Sequence, residues 1–128
     1  VDPARVGIWG FSLGGFVATN GSAHPDSTAR VAIGVGTGQD IFEASRGRRE
    51  LPMMLIEGYS TFPIISAATM RDLAANLRRR GATVEVQMLA APERSMTGPV
   101  WCEVFQHTRR FLDTHLVPAA EAPATPAG

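Results

Sequence analysis

Lysine is absent from the sequence. All twelve basic residues are arginines, and they balance twelve acidic residues to a formal net charge of zero. Nucleic acid and anionic membrane surfaces call for a basic excess that this chain does not have. The arginines cluster at Arg46, Arg48 and Arg49 and again at Arg78 to Arg80. A solvated loop and a helix C-terminus, where cations are favoured, account for both groups. With one cysteine, Cys102, no internal disulfide can form. Its place beside Trp101 and Val104 in a helical pattern predicts a buried, inert thiol. No apolar run approaches the roughly 20 residues of a membrane span. No charged start followed by an apolar stretch marks a secretory leader, so a cytoplasmic location is expected. The chain opens at Val1, only a few residues before its first apolar run, which predicts further sequence upstream.

Apolar residues, in contrast, make up 45% of the 128 positions, enough for the core of one domain. Three continuous apolar runs stand at Arg5 to Trp9, Val31 to Val35 and Pro52 to Ile56. Runs apolar on both faces suit central strands of a parallel sheet with helices on each side. Thr83 to Met88 instead alternates apolar and polar residues, which predicts a half-exposed strand at or near a sheet edge. Ser66 to Arg80 places Ala67, Met70, Leu73, Ala74 and Leu77 on one helical face, with Gly81 where a C-terminal cap belongs. Pro99 to Leu116 does the same with Trp101, Val104, Phe105, Thr108, Phe111 and Leu112, and Pro99 suits a first turn. The order strand, helix, strand, loop, strand, helix, strand, helix predicts a three-layer α/β fold on a mostly parallel sheet. Its chemistry is expected at the carboxyl ends of the strands. Residues 1–117 form this domain, and the Pro- and Ala-rich residues 118–128 are expected to be a disordered tail.

One motif carries chemistry. Gly10-Phe11-Ser12-Leu13-Gly14 follows an apolar strand and precedes a helix, the context that a G-x-S-x-G nucleophile turn requires. The turn is so sharp that its middle residue takes strained dihedrals and the residues two before and two after it must be small. Gly10 and Gly14 answer that demand, and Gly15 lets the helix pack closely. Ser12 is then exposed at the positive end of a helix, and the N–H of Leu13 supplies half of an oxyanion hole.

At these residues the chain resembles the dienelactone hydrolase-like branch of the α/β-hydrolases. Asp2 to Gly15 is similar to that branch's nucleophile segment. Leu51 to Gly58 is similar to the strand that ends in a His-Gly pair before the catalytic Asp. Ser95 to Trp101 is similar to the stretch after the catalytic His, and Phe111 to Leu116 to the final helix. The resemblance covers residues 1 to about 117 and implies the C-terminal half of an α/β-hydrolase fold. It implies a serine hydrolase of carboxylic esters or lactones, with Ser12 as nucleophile and no metal or cofactor. The short separations leave no room for an inserted cap domain.

The sequence departs from the family pattern at the other two catalytic positions. Counting from Gly58, the acid position holds Thr61, and the residue before Gly58 is Glu57 where the family has His. The histidine position holds Arg94. Arg cannot accept a proton near neutral pH, and Thr cannot stabilise an imidazolium as a carboxylate does. Asp40 and Glu57 are the carboxylates closest to replacing the acid. His24 is expected at the opposite end of the sheet from Ser12. Glu103 and His107 are expected as a helix-surface pair, and His115 as a cation-favouring helix end. The chain is thus expected to be inactive on its own. The alternative is a non-catalytic module that keeps the fold to bind a small molecule or a partner. Without earlier strands, one apolar sheet edge is expected to be bare, with Val6, Ile8, Val31 and Ile33 losing neighbours and the edge open to self-association.

Overall fold

The structure is a computed structural model that describes residues 2–36, 51–59, 67–79, 81–92 and 97–116. Four strands form one sheet: β1 (Gly7–Phe11), β2 (Val31–Val35), β3 (Met53–Tyr59) and β4 (Val84–Pro92). They lie side by side in chain order and every adjacent pair is parallel. Three described helices cover the sheet: α1 (Leu13–Ala23), α2 (Ala67–Arg79) and α3 (Gly98–His115). The expected three-layer α/β arrangement is the one found. No described helix is long and apolar enough to cross a membrane.

Alternation along the strands divides the core in two. Ala32, Met53 and Leu55 point to one face, where Ala23 of α1 and Ala74 and Leu77 of α2 meet them. Val31, Ile33, Val35, Met54 and Ile56 point to the other, against Val104 and Phe111 of α3. α1 and α2 share a face because both crossovers step the same way across the sheet. β2 is buried along its whole length, as its unbroken apolar run requires. Among the described residues β4 lies at one edge, and Glu85 to Met88 are half-buried there, as expected for a half-exposed strand.

The helices show how local chemistry sets their ends. α2 stops at Gly81, whose φ of 90° is open to glycine. The N–H groups of Gly81 and Ala82 donate back to the carbonyls of Arg78 and Leu77, at 2.9 and 3.1 Å. Arg78 is not merely solvated, since its Nε donates to the Val84 carbonyl at 2.7 Å and ties the helix end to β4. The face α1 buries is small and polar: Gly15, Ala18, Thr19, Asn20, Ser22 and Ala23. Thr19 Oγ1 donates to the carbonyl of Gly15 at 3.0 Å, and Asn20 Nδ2 to that of Phe16 at 3.0 Å. The helix thus satisfies Thr19 and Asn20 from its own backbone while lying close to the sheet.

Among the described residues β1 pairs with β2 alone, as the expected bare apolar edge implies: of its residues only Gly10 is buried, and Ile8, Trp9 and Phe11 are each more than a third exposed. Three expectations need correction. Val31 and Ile33, expected to lose neighbours, are fully buried because β1 and β3 flank them. Cys102 is exposed. It lies about 200° around α3 from the buried Val104, on the opposite side of the helix. Phe105, assigned to the buried face, is 54% exposed beside the β1 edge. The side chains of Ala67, Met70 and Leu73 and the residues 118–128 lie outside the described residues, as do Arg46, Arg48, Arg49 and Arg80.

Candidate active site

The turn from β1 into α1 is fixed by backbone bonds at both ends. The Ser12 N–H donates to the Val35 carbonyl at 2.8 Å, so β2 holds the turn to the sheet. The Ser12 carbonyl accepts from the Phe16 N–H at 3.1 Å, starting the helix. Ser12 has φ 56° and ψ −122°, and it is the one non-glycine residue with positive φ among those described. Such a conformation costs a residue with a Cβ about 1–3 kcal/mol. A small hydroxyl at a helix start often caps the first turn, but Ser12 makes no side-chain cap hydrogen bond. Its side chain is exposed. Leu13, the first residue of α1, is 75% exposed, and its N–H is among those a helix start leaves without an intrahelical partner.

The two glycines around Ser12 differ. A Cβ on Gly10 would lie 2.0 Å from the carbonyl oxygen of Gly14, so the chain crosses back over Gly10 at a distance only hydrogen permits. A Cβ on Gly14 would meet no described atom within 4 Å. The demand for a small residue therefore falls on Gly10, and Gly14 is the approaching backbone.

If Ser12 is held in strain, Ser12→Gly should relieve it. Thermal unfolding should show Ser12→Gly more stable than Ser12→Ala by about 1 kcal/mol, since alanine keeps the Cβ that the conformation opposes. Equal stability of the two variants would mean that the turn stores no strain.

Across the carboxyl ends of the strands, Phe11, Val35 and Ile56 stand in one row. The next residues are Ser12, Gly36 and Glu57, and the Gly36 N–H donates to the Ile56 carbonyl at 2.9 Å. Gly36 has φ 62° and contributes no side chain between its neighbours. Two strand spacings separate Ser12 from Glu57, about 10 Å between Cα atoms. Glu57 is fully buried, unusual for a carboxylate. Thr61, Arg94 and Asp40 lie outside the described residues.

All three histidines of the chain are described, and each has business elsewhere. His24 follows the C-terminus of α1, at the far end of that helix from Ser12, with Nδ1 accepting from the Asp26 N–H at 3.2 Å. His107 faces Glu103 on its own helix at 3.7 Å, the expected surface pair. His115 packs on the Phe111 ring, with centroids 4.3 Å apart. The neighbouring Leu112 and Leu116 reach Gly7 at the start of β1, so His115 sits at the opposite end of the sheet from Ser12. Its expected preference for the cation is reversed, because burial pushes its pKa below the ordinary value. Glu85 is driven the other way from what its partial burial alone would do: hydrogen bonds from Arg110 and Gln87 hold its carboxyl below the usual range.

No protein-family model and no curated protein matches the sequence. Solved structures do match the fold. Dipeptidyl peptidase 4 of Porphyromonas gingivalis superposes with a TM-score of 0.70 at 16% identity, over 91% of this chain and 20% of that one. The thermophilic esterase Est2 of Thermogutta terrifontis gives 0.67 at 19% identity, over 94% of this chain and 59% of that one. Arabidopsis thaliana SOBER1 gives 0.64 at 17%, over 88% and 56%. The fold is that of the α/β-hydrolases. The chain spans a fifth to about three fifths of these neighbours' lengths.

Proposed function

We propose that this chain is the nucleophile-bearing C-terminal part of a serine hydrolase of carboxylic esters or lactones, of the dienelactone hydrolase-like branch. The observation that carries the reading is the conformation of Ser12, strained between a strand end and a helix start, exposed and not used as a cap. In the proposed chemistry, Ser12 Oγ bonds to the substrate's carbonyl carbon and the carbonyl electron pair moves to oxygen. The Leu13 N–H stabilises that oxyanion together with the positive end of α1. The hydroxyl proton needs an acceptor, and neither Arg94 nor Thr61 can supply the base and its orienting carboxylate. On this reading the chain alone keeps the site of attack and lacks turnover. A module that binds an ester-like ligand without cleaving it is the second reading, favoured by the placement of all three histidines away from Ser12.

A thiol separates a missing base from a missing site, because it is partly ionised near neutral pH and a helix start lowers its pKa further. Ser12→Cys, in a Cys102→Ser background that removes the exposed thiol, should take up one acyl group from a p-nitrophenyl ester, seen by mass spectrometry as a stoichiometric burst. Its rate should exceed that at Cys102 in the otherwise unaltered chain by roughly tenfold or more. Equal rates at the two positions would remove the case for a nucleophile site at Ser12.

A further inference from the structure

α3 lies along β1 with its direction reversed. Trp101, in the first turn of the helix, meets Phe11 at the carboxyl end of the strand, and Leu112 and Leu116 reach Gly7 at the other end. The start of α3 therefore stands beside the turn that carries Ser12.

Phe11 is the last residue of β1 and the one just before Ser12. Its side chain and that of Trp9 share the face turned to α3, since residues two apart on a strand point the same way. The rings of Trp101 and Phe11 meet edge-on, with centroids 5.0 Å apart and planes at 66°. Aromatic pairs favour this arrangement, because a positive ring edge then lies against a negative ring face. Trp101 also reaches Trp9, at 6.4 Å between centroids, so one indole spans two successive side chains of that face.

Backbone bonds hold Ser12 from two directions, its N–H to Val35 of β2 and its carbonyl to Phe16 of α1. Neither bond fixes the tilt of the strand end from which the turn springs. The edge-on ring pair does, because it is directional and lies one residue away. Trp101 is tied in turn to the chain ahead of its helix. Its N–H donates at 3.0 Å to the carbonyl of Thr97, the N-cap residue of α3. A short path, Ser12–Phe11–Trp101–Thr97, thus joins the nucleophile turn to the segment that leads in from position 94.

We propose that Trp101 is a positioning residue of the Ser12 site. Through its contact with Phe11 it sets how the side chain at position 12 stands against the N-terminus of α1, and it registers the start of α3 on the same turn. The proposal rests on the reading of Ser12 as a nucleophile. Phe105 supplies the contrast. One turn farther along α3, it stacks on Trp9 at 6.0 Å and on Trp101 at 5.9 Å, and none of the described ring contacts joins it to Phe11. It shares the packing of the cluster without lying on the path to Ser12.

A thiol at position 12 reads its own setting. In Ser12→Cys combined with Cys102→Ser, the pH profile of alkylation by iodoacetamide reports how strongly the helix start favours the thiolate. Trp101→Ala in that background should move the profile to higher pH and slow alkylation at neutral pH by about three- to tenfold. Trp101→Phe keeps a ring edge and should retain most of the rate. Phe105→Ala should leave the profile in place. Phe11→Leu removes the same contact from the other side and should reproduce the Trp101→Ala shift, so it decides the question if Trp101→Ala does not fold. Circular dichroism reports folding in each variant. A profile that stays in place when the Phe11–Trp101 contact is removed, or that Phe105→Ala moves equally, overturns the proposal. An ordinary thiol profile at position 12 before any change at Trp101 overturns the reading of Ser12 itself, and this proposal falls with it.

Discussion

Gly10→Ala should cost on the order of 3–5 kcal/mol or prevent folding, a loss comparable to the whole stability of many domains. The cause is local and cannot be relieved by a rotamer change. The added methyl would lie 2.0 Å from the Gly14 oxygen, 2.3 Å from its carbonyl carbon and 2.7 Å from the Gly15 nitrogen. All three are backbone atoms of a turn anchored to β2 by the Ser12–Val35 bond and to α1 by the Ser12–Phe16 bond. To admit a methyl, the start of α1 must lift, and Gly15, Ala18 and Thr19, which it buries, must lift with it. Gly14→Ala is the internal control. Its methyl meets no described atom within 4 Å and sits in the first turn of a helix, where alanine is favoured over glycine by about 0.5–1 kcal/mol. The same substitution four residues apart should thus change stability in opposite directions, read from denaturant midpoints. Equal costs at the two sites would show that the close crossing over Gly10 does not exist in solution.

These glycines also show where sequence reading stops. The G-x-S-x-G pattern placed the turn and the strained residue correctly, because a strand running straight into a helix leaves few backbone solutions. It assigned the same role to both glycines, since spacing is symmetric about Ser12 while the path of the chain is not. The four strands were legible for a similar reason: continuous apolar runs belong in a sheet covered on both faces, and the alternation in β4 belongs at an edge. What failed was relative position. β1 and β2 read as equally apolar, so Val31 and Ile33 of β2 were grouped with Val6 and Ile8 at the bare edge, whereas β2 lies between β1 and β3. Cys102 and Phe105 were misplaced because α3 is apolar on a wide arc, and only the packing of its Val104 and Phe111 on the sheet, and of Phe105 on Trp9, shows which part of the arc faces the core. His115 was misread from helix electrostatics alone, where burial against Phe111 has the larger effect.

Hydrolysis of a p-nitrophenyl ester by this chain should be indistinguishable from that by Ser12→Ala. Loss of the base alone removes on the order of 10⁴-fold or more of rate from a serine hydrolase. The chain has three histidines, and all are committed: His24 beyond the C-terminus of α1, His107 with Glu103, and His115 against Phe111 beside the start of β1. A helix rises about 1.5 Å per residue, so His107 lies some 13 Å and His115 some 25 Å along α3 from Gly98. The histidine position holds Arg94, and a guanidinium stays protonated near neutral pH. Glu57 shares the strand-end row with Ser12, but a carboxylate about 10 Å away between Cα atoms, with Gly36 between, orients no imidazole because none is there. These deficits do not add, since nucleophile, base and acid act as one unit, and the absence of the base already removes the measurable rate. Thr61→Asp combined with Arg94→His is therefore the informative gain-of-function pair, and in this chain alone it should restore little. Turnover in the wild-type chain that disappears in Ser12→Ala would reverse the conclusion, and would point to Glu57, Asp40 or a helix histidine as the recruited base.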